Sequence, residues 1–216
     1  MLGFTKKEID LMKKLNTPAK VQDFLNSLEF NFEKPARPHD SSGAGGDGET
    51  CKSPLFVLRT KTAHCLEGAI LGAYVLSLHN FPPLLIHLQS IDEDYDHVVA
   101  PFKINGLWGA LSKTNHSVLR YREPVYKNIR ELAMSYFHEY FLDDGMKTLR
   151  RYSATFNLNT FEKGWETEEG DLWGIDEELD KIKHYDFVPK NYIKKLRKAD
   201  KVEIEAGKIV EFKYEK

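Results

Sequence analysis

The stretch that decides the fold runs from Lys61 to Asn115: KTAHCLEGAILGAYVLSLHNFPPLLIHLQSIDEDYDHVVAPFKINGLWGALSKTN. Its first third predicts a helix with Thr62 or His64 as cap and Cys65 in its first turn. Gly68, Ala69, Gly72 and Ala73 follow, a narrow face that lets a sheet approach the helix backbone closely. Phe81-Pro82-Pro83 then forbids any continuation of the helix. Leu84 to Leu88 is an apolar run suited to a buried strand, and Ile91 to Asp96 is an acidic connector. His97 to Lys103 and Leu107 to Lys113 flank Asn105-Gly106, a strong hairpin signal.

This order carries chemistry. A thiol in the first turn of a helix meets unpaired backbone N–H groups and the positive end of the helix dipole, both of which favour its anion. Those N–H groups are also candidate donors to an oxyanion formed when the thiolate attacks a carbonyl. If Asn105-Gly106 is a two-residue turn, paired positions place His97 opposite Thr114 and diagonal to Ser112, all on one face. A cysteine nucleophile, a histidine base and a group that aligns the histidine form the general triad logic. The plainer alternative is a small buried cysteine and a structurally satisfied histidine.

The segment resembles the transglutaminase-like superfamily, which has a papain-like Cys-His-Asp core. The likeness rests on Cys65 with Gly68-Ala69, the Phe81-Pro82-Pro83 break, His97-Val98-Val99, and Gly106-Leu107-Trp108 ahead of Ser112, over roughly residues 55–114. It implies an α+β fold in which the nucleophile-bearing helix packs on an antiparallel sheet, with N-terminal helices and a C-terminal extension around that core. Cys65 would be the nucleophile and His97 the base, then acid. One departure stands out, because Ser112 occupies the apparent Asp position. Serine carries no charge to stabilise an imidazolium, so Thr114, Asn115 or Asp96 are alternative orienting groups, with Asn115 on the opposite face unless a bulge re-aims it.

Further candidates each have a simpler reading. Gln22 could donate to an oxyanion or sit on the surface of its helix; His64 and Trp108 could line the cleft or be structural. Asp92, Asp94, Asp96 and His97 lack the glycine and bidentate Glu of a calcium loop, so no metal and no cofactor is expected. Arg120, Arg122, Lys147, Arg150 and Arg151 could grip an acidic group, with pairing to carboxylates as the default.

Outside the central stretch, Thr5-Lys-Lys-Glu8 and Thr17-Pro18 announce two short helices. Residues 33–54 are rich in glycine and proline and read as a flexible loop that leaves Cys51 exposed. Glu123-Pro124 is expected to open a long helix through Phe141, and Val202 to Tyr214 to form a terminal hairpin. The expected organisation is a domain over 1–150 with an extension over 151–216 packed on it.

Composition bounds the function. With 216 residues, 41% hydrophobic, and a net charge of −2, the chain can build a core and shows no field that would point to nucleic acid or membrane. The absence of a long apolar run and of a signal-like N-terminus leads us to expect a cytoplasmic protein with reduced cysteines. The sequence therefore points to a cysteine hydrolase or acyltransferase acting on a peptide, protein or small amide. The alternative is an inactive member of the same fold that binds a peptide or protein partner. Oligomeric state is not encoded legibly.

Overall fold

The computed structural model describes residues 3–33 and 48–213. Part of the expected flexible loop, residues 34–47, lies outside the described residues. The N-terminal helices form as their caps dictate. Helix α1 (Lys6–Lys14) starts with a complete Thr5/Glu8 capping box, and α2 (Pro18–Ser27) with Thr17 as cap and Pro18 at the first position. A two-residue strand β1 (Glu29–Phe30) pairs in parallel with β2 (Thr62–Ala63), and between them in sequence lies the short helix α3 (Pro54–Thr60).

Helix α4 (Cys65–Ser77) is nearly all buried and packs on the sheet. The central strands are β3 (Leu84–Gln89), β4 (His97–Ile104) and β5 (Leu107–Leu111). Strands β4 and β5 pair in the register the Asn-Gly turn dictates, from Ile104 with Leu107 to Ala100 with Leu111. Asn105 and Gly106 take the positive φ values, 49° and 83°, that a tight two-residue hairpin requires. Outward from these run β6 (Arg122–Tyr126) beside β5, and β7 (Arg151–Ser153) beside β3. Strand β8 (Phe156–Asn157) also pairs β3, and β9 (His184–Asp186) pairs β7, all antiparallel.

Alternation along the strands sorts the core into two layers. Leu85, Val98, Ala100, Phe102 and Leu111 face α2, α3 and α4. Ile86, Leu88, Val99 and Ala110 pack instead with Leu132, Tyr136, Phe137 and Tyr152. The small face of α4 permits the first contact: a Cβ on Gly68 would lie 2.4 Å from Lys113 Cβ, and one on Gly72 would lie 2.8 Å from Leu111 Cδ1. The helix that begins with Cys65 thus packs on an antiparallel sheet, as expected.

Two expectations fail. Glu123-Pro124 belongs to β6, not to a helix; proline is tolerated there because an edge strand leaves one row of N–H groups unpaired. The helical periodicity survives only in α5 (Ile129–Met134), capped by Asn128, and a following 3-10 turn at Phe137–Glu139. The C-terminal segment forms α7 (Lys201–Gly207), because Asp200 and Glu203 make a capping box. It follows α6 (Trp173–Lys181), whose Ile175 and Leu179 are buried in the first core layer. Among the described residues no helix is long and apolar enough to cross a membrane.

Candidate active site

Cys65 is the first residue of α4, with His64 as its N-cap, so its thiol sits where the backbone N–H groups are unpaired. It is partly exposed, and His64 and His97 both hydrogen-bond to its sulfur. Burial alone would push this thiol up; those two hydrogen bonds and the imidazole charges reverse the effect and bring it well below the ordinary thiol value. The thiolate is therefore the favoured form.

The imidazole of His97 is fixed from its other side. Its Nε2 lies 2.8 Å from Ser112 Oγ, and the Ser112 hydroxyl lies 2.5 Å from the carbonyl oxygen of Leu119. A carbonyl can only accept, so the hydroxyl proton is committed to Leu119 and the oxygen accepts from His97 Nε2–H. That arrangement frees Nδ1 for the sulfur. Leu119 adopts φ +60°, uncommon for a residue with a branched side chain. Its N–H donates to Glu139 Oε2 at 2.8 Å, and Glu139 is held by Arg122 at 2.6 Å. A backbone carbonyl dipole, relayed through the Ser112 hydroxyl, thus holds the far side of the His97 ring.

Ser112 is held in turn by Gln22. The Gln22 amide donates to Ser112 O at 2.8 Å and accepts from Ser112 N at 3.0 Å, closing a paired contact across 90 residues of sequence. Gln22 is thus buried and positions Ser112, correcting both the surface and the oxyanion-donor readings.

His64, read from the sequence as a cap and as a cleft-lining or structural residue, is the N-cap of α4 and sits among carboxylates. Its Nε2 lies 2.8 Å from Thr50 O, 3.2 Å from Glu33 Oε1 and 3.5 Å from Glu67 Oε1. Burial opposes its charge, but the hydrogen bond to Cys65 and the charges of Glu67, Cys65 and Glu33 raise its pKa to about 10. Glu67 has no exposed surface and accepts from Thr50 Oγ1, Lys52 N, His64 N and Asn31 Nδ2, at 2.7 to 3.1 Å.

The remaining candidates fall elsewhere. Asn115 is occupied by a reciprocal pair of bonds to the Phe212 backbone at 3.0 and 2.8 Å, and Thr114 Oγ1 accepts from His116 N. Trp108 pairs across from Lys103, whose ammonium lies 5.1 Å from its ring centroid, and packs against the second core layer. Asp96 binds His87 Nε2 at 2.8 Å, and does not orient His97. Arg120, Arg122 and Arg151 pair with Glu211, Glu139 and Asp186. Among the described residues no group of His, Cys, Asp and Glu is arranged to hold a metal ion. Cys51 is fully buried, against the expectation of exposure, because its N–H and C=O are tied to Asp171 and Leu172. Burial, together with nearby carboxylates, pushes its thiol far up, so it is inert.

The geometry at Cys65 and His97 is matched by a sequence relationship. Residues 55–153 match the Vasohibin family model. That family is transglutaminase-like and related to cysteine proteases, and the match supports placing the segment in that superfamily. No curated protein matches the chain by sequence. Among solved structures, Legionella pneumophila LapG in a calcium-bound form is 21% identical with a TM-score of 0.36, covering 50% of this chain and 61% of that one. A second LapG structure is 18% identical with a TM-score of 0.42, covering 80% and 83%. An EGTA-treated form is 16% identical with a TM-score of 0.39, covering 82% and 87%. The chain thus spans under two thirds of the calcium-bound LapG chain.

Proposed function

We propose that this protein is a cysteine hydrolase or acyltransferase that opens a peptide or carboxamide bond. The observation that carries this reading is the Cys65 sulfur hydrogen-bonded by His97, whose opposite nitrogen is held 2.8 Å from Ser112 Oγ. The Cys65 thiolate attacks the carbonyl carbon, forming a C–S bond and moving the carbonyl electron pair onto oxygen. The unpaired N–H groups at the start of α4 stabilise that oxyanion. As the C–N bond breaks, protonated His97 gives its Nδ1 proton to the departing amine. Water, or an acceptor amine, then attacks the thioester while neutral His97 takes its proton; the C–S bond breaks and the thiolate returns. Ser112 keeps the Nε2 proton in place throughout, so the same ring nitrogen serves both half-reactions.

The test is incubation with a mixture of peptides, with and without a small primary amine, read by mass spectrometry. The proposal expects cleavage or amine incorporation by the native protein that disappears in Cys65→Ala and His97→Ala. Equal product from the native protein and both variants would overturn it, as would no product from any of them with a Cys65 thiol of ordinary reactivity. That last result would favour a cleft that only binds its partner.

A further inference from the structure

Building on the proposed nucleophile, we infer that His64 is a second positioning residue for Cys65, a fixed cation that holds the thiolate and leaves acid–base work to His97. The ring is locked on the side away from the sulfur. Nε2 is 2.8 Å from the Thr50 carbonyl, which can only accept, so that nitrogen carries a proton. The ring's other side faces the start of α4, where His64 acts on Cys65, the next residue. Thr50 is itself fastened to the buried Glu67 by its hydroxyl at 2.7 Å and to Glu33 by its N–H at 2.9 Å. Glu67 lies one helical turn below His64 and also accepts from the His64 N–H at 3.1 Å. Glu67 therefore ties the 50–52 segment to the helix start and supplies the negative charge that a buried imidazolium needs.

The division of labour follows from what each ring touches. His97 leans on a neutral hydroxyl and can give and take a proton. His64 is surrounded by Glu33 and Glu67, with Lys52 at 3.5 Å from Glu67, and holds its proton to about pH 10. Facing the sulfur from other elements are His97 of β4, the Tyr140 phenol and, on α6, Asp176. Among the described residues, His64 and His97 bring positive charge to the sulfur; Tyr140 and Asp176 stay neutral longer than usual, chiefly through burial. A thiolate paired with His64 does not depend on the charge of His97. Alkylation of Cys65 is then governed largely by His64, whereas turnover also requires protonated His97.

The experiment measures the pH dependence of Cys65 alkylation by iodoacetamide, with mass spectrometry of the modified peptide, in the native protein, His64→Gln, His64→Lys and His97→Ala. His64→Gln is expected to raise the midpoint by about one pH unit or more, which is about tenfold slower alkylation on the acid side. His64→Lys restores a cation and should recover most of that loss. His97→Ala should keep a midpoint still below the ordinary thiol value of about 8.5. An unmoved midpoint in His64→Gln, with the low midpoint lost in His97→Ala, would overturn the inference while sparing the proposed function. An ordinary midpoint in the native protein would sink both. Should His64→Gln not fold, nitrogen-15 NMR of the native protein decides instead. The inference expects an imidazolium at His64 at about pH 8 and a lower titration in Cys65→Ser. Titration near the ordinary histidine value of about 6.5 would refute it.

Discussion

Ser112→Ala tests the hydroxyl that links the His97 ring to the Leu119 carbonyl. The hydroxyl accepts from His97 Nε2 at 2.8 Å and donates to Leu119 O at 2.5 Å, and Ser112 and His97 are both buried. Removing one oxygen strands the imidazole N–H in a buried setting. A buried donor left without a partner costs about 1–3 kcal/mol. The Leu119 carbonyl is nearer solvent and should contribute the smaller share. For a chain of this size the loss corresponds to a fall in Tm of about 2–12 °C, using about 2–4 °C per kcal/mol. Urea unfolding followed by circular dichroism measures it, with an unchanged m-value confirming that only stability has moved. The same variant should slow turnover by loosening the His97 ring, since the tautomer is no longer dictated. A stability change below about 0.5 kcal/mol, the range of ordinary surface substitutions, would refute the relay.

Other sites give separate tests. Gln22→Leu strands both backbone groups of Ser112 and should cost about 2 kcal/mol or more in urea unfolding, from two orphaned groups at about 1–3 kcal/mol each; no loss would mean the clamp is incidental. Gly68→Ala forces a Cβ to within 2.4 Å of Lys113 Cβ, so the overpacking cost of about 1–3 kcal/mol should outweigh the helix-propensity gain of about 1 kcal/mol. A stabilised variant would show that α4 and Lys113 can separate freely. Burial works against the His87 charge, but its bond to Asp96 raises its pKa above 6.5; the same bond outweighs burial at Asp96 and lowers its pKa below 3.8. The pair's contribution is therefore full below the unfolded histidine value and above the unfolded aspartate value. It fades as pH rises through the folded pKa of His87 or falls through that of Asp96. Asp96→Asn should lower stability more at about pH 6 than at about pH 9, modestly because Asp96 is partly exposed; equal losses at both would show no linkage.

Much of this arrangement is legible in the sequence, and the reason is locality. The Asn105-Gly106 turn dictates its own register, which carries His97 to Ser112 without any long-range information. The capped N-terminal helices and the small face of α4 are likewise local patterns. What stayed hidden depends on contacts between distant segments. A backbone carbonyl has no sequence signature, so Leu119 could not be picked out as the relay's end. Gln22 and Ser112 meet across 90 residues, and Cys51 is buried by Asp171 and Leu172, which stand 120 residues or more away. Nothing local in the sequence singles out Glu67, and its burial shows only once the 50–52 segment is folded against it. The failed long helix has a different cause. Apolar residues at Val125, Ile129 and Leu132 satisfy a helical period, yet Asn128 caps the helix later and leaves the earlier residues to the sheet edge.

The account's central claim is that Cys65 rests as an activated thiolate, and the pH dependence of its alkylation in the native protein measures this directly. Buried Cys51 serves as an internal control in the same spectra. Activation predicts that Cys65 reacts readily at about pH 6, more than two units below the ordinary thiol value of about 8.5, while Cys51 stays unmodified. A Cys65 that reacts at that pH no faster than Cys51 would contradict the account.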